Sequence, residues 1–167
     1  IWLTPTRENI ESFQSFLLKT SKLVLDENKL FFSNNKNKFF SLDTDTGAVE
    51  WSQDISSELK PIVYENLIFT ISSDGYLFII EKKSGNIIRI TNIFKGMKKR
   101  KIKNILMSGF VVGPKNIYLS LNNGKIFQID IGTGKVLSSI KISSGKISEP
   151  FINKNKMFII KDNEIIK

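Results

Sequence analysis

The chain of 167 residues contains no cysteine and no histidine. Without thiols there are no disulfide staples and no thiolate nucleophile, and no lipid-bearing cysteine lies within these residues. Without imidazole the commonest general acid-base group is missing, and the two absences together exclude zinc sites built on nitrogen or sulfur ligands. No apolar run reaches the roughly 18 residues that a spanning helix needs, and no signal peptide is visible. Lack of cysteine is compatible with cytoplasm or periplasm.

What the chain does have is a cassette of about forty residues that occurs three times and begins a fourth. The first copy runs from Asn28-Lys29-Leu30-Phe31-Phe32 through Phe39-Phe40-Ser41-Leu42-Asp43 to Thr46-Gly47 and Val49-Glu50-Trp51. The second has Asn66-Leu67-Ile68-Phe69, Tyr76 to Glu81, Ser84-Gly85 and Ile87 to Ile90; the third has Asn116-Ile117-Tyr118-Leu119, Lys125 to Asp130, Thr133-Gly134 and Val136-Leu137. The fourth starts at Asn155 and turns at Asp162-Asn163. Asp74-Gly75 and Asn123-Gly124, each between two apolar runs, predict two-residue hairpin turns with positive φ at both central residues.

The second turn of each cassette reads acid, any, any, hydroxyl, glycine: Asp43, Thr46, Gly47; Glu81, Ser84, Gly85; Asp130, Thr133, Gly134. Glycine suits a left-handed backbone step, and a carboxylate with a hydroxyl can bond the nearby amides, so these residues are read as turn locks rather than catalytic groups. A further strand precedes each cassette, at Leu23-Val24-Leu25, Pro61 to Tyr64, Phe110-Val111-Val112 and Pro150-Phe151-Ile152. Four short antiparallel strands per repeat predict an all-β propeller of about three to four blades, at 20–56, 57–94, 105–143 and, incomplete, 147–167. Residues 1–19 are read as the end of a preceding blade plus an inserted segment. In that reading Trp2 holds the place of Trp51, and Ile10, Phe13, Phe16 and Leu17 after Thr4-Pro5 fall at the spacing of a short helix.

The stretch from Asn123 to Leu137, with a strand ending in Asp130, a Thr133-Gly134-Lys135 turn and a further strand, resembles the repeat of the pyrroloquinoline-quinone-like propellers. Trp51 occupies the tryptophan position of that repeat, and the resemblance covers about residues 20 to 167. Within this group the chain is most similar to BamB-type propellers, the lipoproteins of the bacterial outer-membrane β-barrel assembly machinery. The resemblance implies a non-enzymatic scaffold on the periplasmic face of the outer membrane that docks to the barrel subunit, with no cofactor and no metal. Such rings usually close with about eight blades, so the chain is expected to be part of a longer protein; if that protein is a lipoprotein, its lipid-bearing cysteine lies upstream.

Fold does not fix function, and two other classes share the repeat. A quinone-dependent dehydrogenase would need an acidic metal cluster, a catalytic carboxylate and, in many members, a vicinal cysteine pair. This chain has no cysteine, its turn acids have a structural explanation, and Asp26, Glu27, Asp54 and Glu58 are scattered. A lumenal stress-sensor ectodomain is the third class.

The net charge is +9, and Lys95, Lys98, Lys99, Arg100, Lys101 and Lys103 supply six positive charges with no acid among them. This run lengthens the repeat: the turn glycines are 38 positions apart from Gly47 to Gly85 but 49 from Gly85 to Gly134. Residues 95–104 are therefore an elaborated inter-blade connection, read either as a solvated loop or as a contact for a partner through Lys98, Lys99, Arg100 and Lys101, an anionic membrane surface included. Nucleic acid is disfavoured, because no aromatic residue lies within 95–103 for base stacking. An incomplete ring is further expected to expose Leu23, Val24 and Leu25 at one end and Phe151, Ile152, Phe158 and Ile159 at the other, and so to self-associate unless covered.

Overall fold

The computed structural model describes residues 1–4, 20–34, 37–154 and 156–167. The helix expected between Pro5 and Lys19 lies outside the described residues. Four antiparallel sheets follow one another along the chain, with strand order equal to chain order in each. The first holds β1 (Val24–Asp26), β2 (Lys29–Ser33), β3 (Phe39–Asp43) and β4 (Val49–Gln53); the second holds β5 (Ile62–Tyr64), β6 (Leu67–Ile71), β7 (Tyr76–Glu81) and β8 (Ile87–Asn92). The third holds β9 (Met107–Val112), β10 (Asn116–Leu121), β11 (Lys125–Asp130) and β12 (Val136–Lys141). The fourth has three strands, β13 (Phe151–Asn153), β14 (Lys156–Lys161) and β15 (Glu164–Ile166). Four-stranded meanders in tandem are the blades of a β-propeller.

The sequence pattern explains which strands lie where. The middle strands are apolar on both faces, as in Leu67–Ile71, because each is covered on both sides; the last strands, such as Ile87–Asn92, are largely exposed. The chain divides into two compact units, Ile1–Asp74 with Phe78–Arg89, and Gly75–Leu77 with Ile90–Lys167. In the first, Phe31, Phe39, Ile55, Ile68 and Ile80 form a core joined by Val24, Trp51, Val63 and Phe78. Successive strand residues point to opposite faces, so Phe32, Phe40 and Leu42 form a separate cluster with Leu30. In the second unit Ile126, Ile147 and Ile159 pack with Tyr118, Ile142 and Met157.

Two expectations are corrected. At Asp74-Gly75 and Asn123-Gly124 only the glycine is left-handed, with φ of 81° and 75°. Three residues, 122–124, lie between the strands Asn116–Leu121 and Lys125–Asp130 rather than two, and the Gly124 N–H closes the turn on the Leu121 carbonyl at 3.0 Å. Two-residue turns occur instead at Glu27-Asn28, Glu65-Asn66 and Asp162-Asn163, the last with positive φ at both residues between the paired Lys161 and Glu164. Of the residues expected on exposed ends, Leu23, Leu25 and Phe151 are exposed, whereas Val24 packs on the first core and Ile159 is buried in the second. Alternation along the strand turns one neighbour outward and the next inward.

Candidate functional site

The repeated acid-to-glycine turns are built alike. Asp43 Oδ1 accepts from the N–H groups of Asp45 (3.1 Å) and Thr46 (2.8 Å) and from the Thr46 hydroxyl (2.7 Å), while the Gly47 N–H donates to the Asp43 carbonyl at 2.8 Å. Asp130 repeats this with Thr133, at 2.7 Å from both its N–H and its hydroxyl. At Glu81 the longer side chain reaches only the Ser84 hydroxyl, and the Gly85 N–H closes the same backbone turn at 2.9 Å. Gly47, Gly85 and Gly134 have φ of 74°, 74° and 70°. Each acid is thus engaged inside its own turn, and among the described residues no three acidic side chains gather where they could hold a metal ion.

The bonds at Asp43 have an electrostatic consequence. Hydrogen bonds from Thr46, first its hydroxyl and then its N–H, hold the Asp43 carboxyl below its ordinary range against a small desolvation cost, with help from Asp45 and Lys29. Glu50, on the same sheet, is also held low, chiefly by the Lys29 ammonium and also by the Ser41 hydroxyl at 2.9 Å. Lys82 is pushed up by Asp26, whose carboxylate lies 2.7 Å away, with Glu27 at 3.7 Å.

What covers these turns was not read from the motif. A Cβ on Gly85 would lie 2.5 Å from Cδ2 of Trp51, whose indole N–H donates to the Lys82 carbonyl at 3.1 Å; Gln53 Nε2 donates to the Gly85 carbonyl at 2.7 Å. Trp2 repeats the arrangement over Gly47, with its indole N–H on the Thr44 carbonyl at 2.9 Å and the Thr4 hydroxyl on the Gly47 carbonyl. The indole of Trp51 also stacks on Phe39, with centroids 6.0 Å apart and planes at 12°. Buried serines add a second set of ties. Ser33 Oγ donates to the Ile55 carbonyl at 2.9 Å and accepts from the Ser57 N–H at 3.0 Å, and Ser57 Oγ donates to the Ile71 carbonyl at 2.7 Å. These elements hold one repeat against the next.

The basic run is a defined protrusion. Phe94 is buried, its ring set edge-on to Phe127, and at the far end the Leu106 N–H donates to Asn122 Oδ1 at 3.0 Å while the Asn122 N–H donates to the Leu106 carbonyl at 2.8 Å. Between these anchors the chain makes one short helical turn, α1 (Lys99–Ile102). Lys98, Lys99, Arg100 and Lys101 are all exposed there.

The family model described as outer membrane protein assembly factor BamB matches residues 2–91, more than half of the chain. BamB of Legionella pneumophila (strain Paris) is 26% identical over 115 residues, covering 65% of this chain and 27% of that protein. The chain therefore spans about a quarter of the length of that curated relative. Among solved structures, BamB from Moraxella catarrhalis superposes with a TM-score of 0.69 at 13% identity, over 87% of this chain and 41% of that one. The computationally designed Ika4 protein superposes with a TM-score of 0.67 at 13% identity, over 93% of each chain. Repeat, fold and family match agree, and the chain belongs to the family of the outer membrane protein assembly factor BamB.

Proposed function

We propose that this chain acts as a non-enzymatic scaffold in the assembly of outer-membrane β-barrel proteins, on the periplasmic side of that membrane and docked to the barrel subunit of the machinery. The observation that carries the reading is the family match over residues 2–91. The engagement of Asp43, Glu81 and Asp130 within their own turns supports it, because it leaves them with structural work. Blades offer loops and sheet edges as contact surfaces, and extended segments add readily to such edges. The test is affinity purification of the tagged full-length protein from cross-linked cells, followed by mass spectrometry. Recovery of the barrel subunit is expected. Recovery without it, together with a bound chromophore after incubation with calcium and pyrroloquinoline quinone, would replace the scaffold with an enzyme.

A further inference from the structure

We infer that the connection from Lys95 to Leu106 is a docking surface for an anionic lipid bilayer. Its cations, Lys95, Lys98, Lys99, Arg100, Lys101 and Lys103, are all exposed, and among the described residues none of them forms an ion pair. An inward-facing structural role for six unpaired charges is therefore absent. The run is anchored at Phe94 and at the Leu106–Asn122 bonds, so the charges are presented at one place rather than trailed on a tail.

The surroundings extend the same sign. The register Leu121↔Met107 and Lys125↔Lys141 puts the connection at the end of the third sheet that also carries Lys141 and Lys146. Lys141 Nζ donates to the Asn123 carbonyl there at 3.1 Å, and Lys146 is exposed. Of the acids near this end, Glu149 is half-buried with its stem against Gly109, and Asp74 is exposed beside Gly75, on which the Phe94 ring packs at the base of the connection.

A bilayer fits better than an acidic protein because apolar side chains are mixed into the charge. Leu106 is 68% exposed, and Met97 and Ile102 are half-exposed on the same protrusion. Cations beside protruding apolar groups suit headgroups above and acyl chains below. Mobile headgroups also need no fixed array of partners, which matches long, unpaired lysine side chains. Each basic residue close to an anionic surface contributes attraction that salt screens.

The experiment uses the purified full-length protein and sedimentation with vesicles of phosphatidylcholine alone or with one third phosphatidylglycerol, so no other protein is present and the outcome is independent of docking to the barrel subunit. Binding to the anionic vesicles alone is expected, weakened at least about tenfold as salt rises from about 0.05 to 0.5 M. Replacing Lys98, Lys99, Arg100 and Lys101 together by Gln should lower partition about a hundredfold with the unfolding midpoint unchanged, since all four are exposed. Leu106→Ser should lower it a few-fold without changing the salt dependence. Equal binding to both vesicle types, binding that survives the quadruple substitution, or tighter binding to polyglutamate or duplex DNA than to anionic vesicles would overturn the assignment.

Discussion

Gly85 and Gly134 occupy equivalent turns with nearly the same φ, yet they are covered by different chemistry. Over Gly85 lies the indole of Trp51, hydrogen-bonded and stacked on Phe39; over Gly134 lies Thr91, whose Cβ would be 2.7 Å from a Cβ placed there. The residue four places after each preceding turn glycine differs as well: Trp51 follows Gly47, whereas Arg89 follows Gly85. The turn itself, with its acid, hydroxyl and glycine, is constant while its cover varies. Turn geometry thus defines the repeat, and the cover sets how firmly one repeat is held to the next.

Removing the larger cover should have the largest effect. Trp51→Ala strips an aromatic group from the first core and leaves the Lys82 carbonyl without its donor, so a loss of about 3 kcal/mol in urea denaturation is expected. A loss below about 1 kcal/mol would make the indole a passenger on the fold. Next comes the pair Gly85→Ala and Gly134→Ala. Both put a side chain on a left-handed backbone, at about 1 kcal/mol or more. Gly85→Ala must displace an indole held by its hydrogen bond and by stacking on Phe39, and Gly134→Ala must displace Thr91 as far as its Cβ, which rotation about χ1 does not move. Each variant should therefore lose about 1 kcal/mol beyond the backbone strain, and a loss at either site no larger than the strain alone would break the comparison.

Much of the fold could be read in advance. The apolar runs Leu67 to Phe69, Tyr76 to Glu81 and Ile87 to Ile90 of the second cassette lie in the strands Leu67–Ile71, Tyr76–Glu81 and Ile87–Asn92, because period, turn residues and apolar runs are local signals. The hairpin turn type was misread at Asn123-Gly124, since the same dipeptide serves two-residue and longer connections and only the register of the flanking strands distinguishes them. Ser33, Ser57 and Ser120 could not be recognised as buried ties: a hydroxyl in an apolar strand, or in a connection as at Ser57, has no periodicity, and its partner carbonyls, such as Ser148 for Ser120 at 2.8 Å, are distant in sequence. For the same reason the motif showed Trp51 but not the glycine beneath it. The helical turn Lys99–Ile102 was also not foreseen in the basic run, where four residues are too few to show a period.

A smaller effect at the Asp43 turn depends on pH. The folded-state pKa of Asp43 is depressed, so its contribution is complete above the unfolded carboxyl value of about 4 and is lost as pH falls through the lower folded value. The stability gap between the wild type and Asp43→Asn should therefore be widest at neutral pH and close on acidification. A gap independent of pH would mean that the charge of Asp43 adds nothing to its hydrogen bonds.

Whether the indole of Trp51 and the bare backbone of Gly85 form one lock is decided by a double-mutant cycle on Trp51→Ala and Gly85→Ala. With the indole gone the new methyl group has room, so the double variant should be less destabilised than the sum of the two singles by at least about 1 kcal/mol, leaving mainly the backbone strain of the left-handed alanine. Additivity within about 0.3 kcal/mol would show that the ring and the glycine act independently, and would contradict the single lock.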